Sequence, residues 1–392
     1  MLAPSKFSFN SISHRGKASK FTMITNYRNR SLKTCTLISI LLFSAGCHPN
    51  ASSSSRSRPI VVSPASLPHT NGFLSRTDLA RFHPNESGLV PILEYHYIKP
   101  GRFMTCRPAY LFRQDLNSLY SQGYRPISLT EYLNNKIDLP AGKKPVILSF
   151  DDALTTQFRY LSDHRIDPNC ALGILLAFHE KHPDWALKGV FFVLPTQGFG
   201  PKRERSEKVR TLLKLGFEAE NHTLNHYYFN RISDSEIIRQ IALGQAGIEK
   251  LAPKDHIDIL ALPGGCLPRS HHYGIMTSGE YDGIHYHNRA IIMAADSPAP
   301  APADKKFNAL RVPRIVAYSG EDGVTAWINW LKRHPSQVYI SDGDPKTVTV
   351  PATDLHLIDR KKLQGDSLIV YGSIPKKGKN HSHSLKKRTH SL

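Results

Sequence analysis

Six short apolar runs, each separated from the next by a stretch of helical spacing, constrain this chain more than any other feature. They are Leu89–Ile98, Val146–Phe150, Val190–Leu194, Phe217–Glu220, Ile257–Leu262 and Ala290–Ala294. The runs are continuous rather than alternating, the pattern of strands buried on both faces. Between them the clearest helix begins at Ser233 with Glu236 three residues later, a capping box, and sets Ile237, Ile241, Gly244, Ile248 and Leu251 on one face. Tyr110–Gln122, Pro168–His182 and Glu207–Gly216 read as further helices. Strands alternating with helices specify an α/β fold with a parallel sheet or barrel, whose chemistry sits at the C-terminal ends of the strands. Beyond the last run a helix is expected over Gly323–His334, carrying Trp327, Ile328 and Leu331. Short strands are expected at Gln337–Ile340, Thr347–Val350 and Ser367–Tyr371.

The formal charge of +19 raises the question of nucleic-acid binding. Residues 1–46 hold seven Lys or Arg and no acid, residues 372–392 hold six and no acid, and the segment between them keeps only +6. With no basic stripe interleaved with aromatics there, nucleic acid is not an expected partner. The N-terminal charge has another reading. Arg28, Arg30 and Lys33 precede the apolar run Cys35–Phe43 and the small residues Ser44, Ala45 and Gly46, which is the layout of an export signal. The run is too short to cross a bilayer, for which about 20 apolar residues are needed. It resembles a bacterial lipoprotein signal, with Cys47 as the residue that receives lipid; Ser44 departs from that pattern, which prefers Leu. The expected organisation is a signal at 1–46, a Ser/Pro-rich tether and lead-in at 47–88, a catalytic domain at 89–335, a small β extension at 336–371 and a disordered basic tail at 372–392. Three cysteines remain in the mature domain, Cys106, Cys170 and Cys266, enough for one disulfide and a free thiol but without metal-knuckle spacing.

The chemistry concentrates at two strand ends. The run Val146–Phe150 ends in Asp151-Asp152, adjacent carboxylates that are costly in an apolar setting unless something neutralises one of them. The run Phe217–Glu220 is followed by His222 and His226, two imidazoles at i and i+4 that lie about one helical turn apart and can share a metal. An Asp pair that caps a helix, or a His pair on a solvated face, is a common structural feature. Both together, each at the end of a strand, point to a metal centre.

These segments resemble the polysaccharide deacetylases of carbohydrate esterase family four. The first motif of that family, T-F-D-D-G, reads here Ser149-Phe150-Asp151-Asp152-Ala153, and the second, H-S/T-x-x-H, reads His222-Thr223-Leu224-Asn225-His226. Pro91–His96, Val190–Val193 and Leu262–Gly265 occupy the places of the opening strand, the A-T-F-F-V strand and the third motif. The resemblance implies a distorted (β/α) barrel with a small C-terminal β extension, and one divalent metal held by Asp152, His222 and His226. Zinc is the first choice of ion, with cobalt or nickel as alternatives. It also implies Asp151 as general base, an oxyanion held with help from an N–H of the Pro263–Gly265 turn, and an N-acetylated amino-sugar polymer as substrate. The family's third-motif Arg is replaced by Ala261, and Arg314 in Val312-Pro313-Arg314-Ile315 is the candidate to supply that charge to the base. The acid His of the fifth motif is not evident; His285, His287 and His356 are candidates, and Glu94 and His96 are expected on the same rim as substrate contacts or supports. A non-catalytic glycan-binding lipoprotein and a deacetylase of a small amide or O-acetyl ester remain alternatives, and the oligomeric state is open.

The export reading predicts that Cys47→Ser abolishes metabolic lipid labelling and releases the protein from membranes. No label in the parent protein, together with an unchanged membrane fraction in the variant, would refute lipidation.

Overall fold

A computed structural model describes residues 74–101, 103–252, 257–318 and 323–373. The export signal, Cys47, residues 48–73 of the tether and lead-in and residues 374–392 of the tail lie outside these residues; the end of the lead-in holds a helix, Arg76–Phe82, and Asn85 bridges to Ile340. The strands are β1 (Ile92–Tyr95), β2 (Tyr124–Pro126), β3 (Lys144–Asp151), β4 (Val190–Val193), β5 (Glu218–Asn221), β6 (Ile259–Ala261), β7 (Ser278–Tyr281), β8 (Ile284–His287), β9 (Ala290–Ile292), β10 (Ile315–Val316), β11 (Thr347–Pro351) and β12 (Ser367–Tyr371).

The α/β reading holds. Seven strands pair in parallel in the order β10-β1-β3-β4-β5-β6-β9, with β2 beside the lower half of β3. The sheet curls into a half-barrel, and one isolated parallel bridge joins Ile292 of β9 to Val312, which precedes β10. The distortion lies at that seam. No helix covers the connection from β9 to β10, which has only a single 3-10 turn at Ala309–Arg311. The hairpin β7–β8 is inserted before β9.

Each expected run meets a strand; in four of the six the strand is shorter, because irregular segments continue the apolar pattern beyond the pairing, while β5 is shifted by one residue and β3 extends past its run at both ends. The expected helices are present as Ala109–Ser121, Ala171–Lys181, Lys202–Leu215, Asp234–Leu251 and Val324–Arg333. The helix expected from Glu207 begins five residues earlier, its polar first turns carrying no apolar signal. At Ser233 the hydroxyl accepts from Glu236 N, but Glu236 turns to Arg239 and Gln240, so only half of the expected capping box forms. A complete one lies at Ser128 and Glu131. Gln337–Ile340 is not a strand: Val338 and Ile340 make isolated bridges to Leu89 and Asn85, while β11 and β12 form a separate parallel pair. Cys106, Cys170 and Cys266 are all free thiols, so the possible disulfide does not form.

Strand alternation divides the core in two. Leu93, Tyr95, Leu148, Phe150, Phe191 and Val193 point outward into the helix layer. Ile92, Ile147, Val190, Phe192, Ile259 and Ala261 point into the barrel. By the same alternation Glu94, Ser149, Asp151, Glu220 and His222 face inward, and the charges converge as the strands end. Outside, Phe150 stacks on Phe191 at 4.7 Å, behind the strand that carries the Asp pair. Phe191→Ala is therefore expected to destabilise the fold by about 3–5 kcal/mol, measured by urea denaturation; a loss below 1 kcal/mol would show that this stack does not support the wall of the site.

Candidate metal centre

The turn that leaves β3 sets the first ligand. Asp151 closes the strand, and Asp152 and Ala153 follow at φ +77° and +52°, a left-handed step that non-glycine residues seldom take. Gln157, fully buried, fixes it: its amide donates to the carbonyl oxygens of Asp151 at 2.5 Å and of His96 at 3.0 Å, tying the ends of β3 and β1 together.

The second motif is a loop, not the helical turn that the i, i+4 spacing suggested. Thr223 and His226 have φ +71° and +59°, and the two imidazole centroids lie 4.8 Å apart. Helix Asp234–Leu251 shapes this loop through three hydrogen bonds, and the loop adds one of its own. Asn221 Nδ2 donates to Ile241 O at 3.0 Å, and Asn221 Oδ1 accepts from Thr223 N at 2.8 Å. Leu224 N donates to Gln240 O at 3.0 Å, and Asn225 N donates to Gln240 Oε1 at 2.8 Å. Gly244 lets the loop approach: a Cβ there would lie 2.6 Å from Asn221 Oδ1 and 2.7 Å from the Thr223 carbonyl carbon.

The three expected ligands meet. Asp152 Oδ1 is 3.5 Å from His222 Nε2 and 3.5 Å from His226 Nε2. These separations are long for hydrogen bonds, and Asp152 Oδ1 and His222 Nε2 are buried with no hydrogen-bond partner. Two ligands each about 2.1 Å from a shared tetrahedral ion lie roughly 3.4 Å apart, so orphan atoms at this spacing fit a metal. His222 Nδ1 faces Ala261 O at 3.0 Å, which orients the ring and leaves Nε2 aimed at the centre. Burial, with the charge of His222, pushes His226 down to about 4, so its imidazole is neutral at pH 7. Burial opposes the charge on Asp152, but His222, His96 and His226 outweigh it and hold the carboxyl below its ordinary range.

Beside the centre lies a buried ion-pair cluster. Arg314 Nη1 donates to Asp151 Oδ1 at 2.7 Å and Nη2 to Asp151 Oδ2 at 2.8 Å, with both side chains about 1% exposed. Arg314 therefore reaches Asp151, the carboxylate expected as general base. Burial would raise the Asp151 carboxyl, but this guanidinium outweighs it and holds the acid well below the usual carboxylate range. Arg314 Nη2 also lies 3.1 Å from Glu94 Oε2, and Glu94 Oε1 lies 3.7 Å from His96 Nε2. Burial first, with repulsion from Asp151, pushes Glu94 up against the pull of Arg314. Glu94, His96 and Asp151 bring ligand-type atoms within 4.8 Å of one another. That trio already contains the Arg314 cation, and His96 Nδ1 is buried there without a partner.

The histidines proposed for the missing acid are elsewhere. His285 and His287 are exposed on the hairpin β7–β8, and His356 is exposed with its ring on Thr353 O. In the Pro263–Gly265 turn, Pro263 has no N–H and Gly265 N donates to Leu262 O at 2.9 Å, so Gly264 is the only N–H of the turn that an oxyanion could use. Sequence reasoning missed Gln157 and Gln240, whose roles leave no periodic trace.

Residues 138–277, which span both strand-end motifs, match the family model described as polysaccharide deacetylase. The match covers less than half of the chain, and it marks this segment as similar to the polysaccharide deacetylases. The match indicates a hydrolase of the deacetylase kind. The fold is similar to Streptococcus pyogenes deacetylase PplD in complex with acetate, at 17% identity and TM-score 0.46, covering 62% of this chain and 97% of that one. It is also similar to BC0361, a polysaccharide deacetylase from Bacillus cereus, at 14% identity and TM-score 0.47, covering 62% and 68%. For IcaB from Ammonifex degensii the values are 18%, 0.43, 62% and 97%. Comparison with curated protein sequences gives no match.

The packing at Gly244 predicts that Gly244→Ala displaces the histidine loop of this deacetylase. Zinc affinity, measured by chelator competition, is expected to fall about 10- to 100-fold, as for other disturbed supports of metal ligands. Unchanged affinity would show that the helix does not position His222 and His226.

Proposed function

We propose that this deacetylase is metal-dependent and removes N-acetyl groups from an amino-sugar polysaccharide outside the cytoplasm, where a lipid on Cys47 would anchor it to a membrane. One observation carries the chemistry: two orphaned buried ligand atoms, Asp152 Oδ1 and His222 Nε2, converge with the His226 imidazole beside a buried, arginine-clamped carboxylate. Asp152, His222 and His226 would hold the divalent ion, which when bound supplies a Lewis acid that polarises an acetyl carbonyl and acidifies water. The ligand set includes nitrogen as well as oxygen donors, which suits zinc and also cobalt or nickel.

The chain's own groups divide the remaining work. Asp151 accepts the proton of the attacking water. Arg314 occupies one acceptor site on each of its oxygens, and each oxygen keeps a second lone pair. A carboxylate clamped this way is a weak base, so it serves only where the water it faces has been made acidic. Arg314 orients it and keeps it ionised. His96 is the proton donor for the leaving amine: its ring faces Asp151 and Glu94, and Nδ1 has no competing partner. Gly264 N–H faces the oxyanion. The polymer as substrate rests on the family; the open alternatives are a small amide or an O-acetyl ester, which acetate release from an N-acetylglucosamine oligomer and an acetylated xylan oligomer would distinguish.

Two adjacent carboxylates with different tasks fail differently. Asp151→Asn is expected to keep stoichiometric zinc while turnover falls by roughly 10² to 10⁴. Asp152→Asn should lose both zinc and activity, with partial rescue by excess metal. His96→Gln should resemble Asp151→Asn. Metal content by emission spectroscopy alongside acetate release decides: zinc lost from Asp151→Asn and retained in Asp152→Asn reverses the roles, and full activity in both overturns the mechanism.

A further inference from the structure

The uncovered seam of the barrel carries two features that the catalytic centre does not use. The first is an open cavity of about 260 Å³ lined mainly by apolar groups, among them Leu267, Met276, Ile291 and the half-exposed Tyr273 and Leu310, with Arg311 at its rim. The second is a cationic ridge. Lys305 and Lys306 follow the buried Asp304, and Arg360 and Lys361 open the turn Arg360–Leu363; all four are exposed. Lys362 fastens the two segments together, its ammonium donating to the carbonyls of Asp304 at 2.8 Å, Lys305 at 3.2 Å and Phe307 at 2.7 Å. Asn308, Leu310 and Arg311 follow the ridge in the chain and line the cavity wall.

Two carboxylates, Asp304 and Asp359, lie in the same segments and offset part of this charge. Asp304 accepts from Lys306 N and Asp359 from Lys361 N, so each acid is engaged with the backbone of its own turn. Lys306, Arg311, Arg360 and Lys361 form no ion pair among the described residues. The chain beyond β12 then adds six more Lys or Arg and no acid between residues 374 and 392.

We infer that this face docks on an anionic lipid surface, with the ridge over the headgroups and the Leu310 cavity receiving apolar matter from the interface. An acidic polysaccharide or a nucleic acid would match the ridge but leave the apolar cavity unexplained. A neutral apolar partner would match the cavity and leave the cations unpaired. An anionic amphiphile satisfies both, and basic residues next to apolar ones are the pattern of interfacial binding.

The test is flotation of the full-length protein, carrying Cys47→Ser to remove the lipid, with vesicles of phosphatidylglycerol and phosphatidylcholine or of phosphatidylcholine alone. Binding is expected only with the anionic vesicles and should weaken as salt rises. The triple variant Lys306→Glu, Arg360→Glu and Lys361→Glu should bind at least tenfold more weakly, and Leu310→Asp several-fold more weakly, while both release acetate from a soluble oligomer like the parent. The inference is overturned if the triple variant floats like the parent, if neutral vesicles bind equally well, or if a sulfated dextran captures the protein while anionic vesicles do not. Acetate release in the same samples reports on the catalytic reading independently.

Discussion

The buried Arg314 guanidinium pairs with two carboxylates at the strand ends, and the arrangement of the candidate site depends on it. It lies between Asp151 on β3 and Glu94 on β1, with every partner almost fully buried. Desolvating three charges is expensive, and geometry alone makes the attraction repay it. Removing one member would leave an uncompensated charge in the core, a loss of about 3–5 kcal/mol. The cluster therefore holds β10, β1 and β3 in one register, because a shift by one residue would turn Glu94 or Asp151 outward into the helix layer.

The metal site is built against that cluster from the other side of the barrel. Its ligands stand on irregular backbone, Asp152 and His226 both at positive φ, and such conformations persist only where the surroundings over-determine them. Gln157 does this for the Asp turn. Asn221, Gln240 and Gly244 do it for the histidine loop, through a helix whose other residues serve the core. The acid Asp151 and the ligand Asp152 are neighbours in sequence, yet their environments differ: a guanidinium faces one and imidazoles face the other. That difference, rather than residue type, sets the two carboxylates apart and underlies the separate roles proposed for them.

The cationic ridge and the cavity beside it occupy the seam where the connection from β9 to β10 has no helix. An α/β barrel ordinarily hides the outer face of each strand under the helix that follows. Here residues 293–314 run as irregular chain, so Ile291 and Leu310 reach a surface cavity.

The sequence by itself determined the fold class, the order of the strands along the chain and the two strand-end motifs, because burial on both faces leaves a continuous apolar signal and because ligand residues must follow strand ends closely. It also offered Arg314 as the replacement for the charge absent at Ala261. Only the tertiary structure decided that the His pair is a loop, since i, i+4 spacing is the same in a helix and in a strained turn. Only it brought His96 and Glu94 to the base, across the β1–β3 pairing, and left His285, His287 and His356 at the surface. Strand ends, capping partners and the supporting amides of Gln157 and Gln240 were likewise beyond the sequence. Such contacts join residues whose identities carry no periodicity and whose partners are set by how the sheet curls.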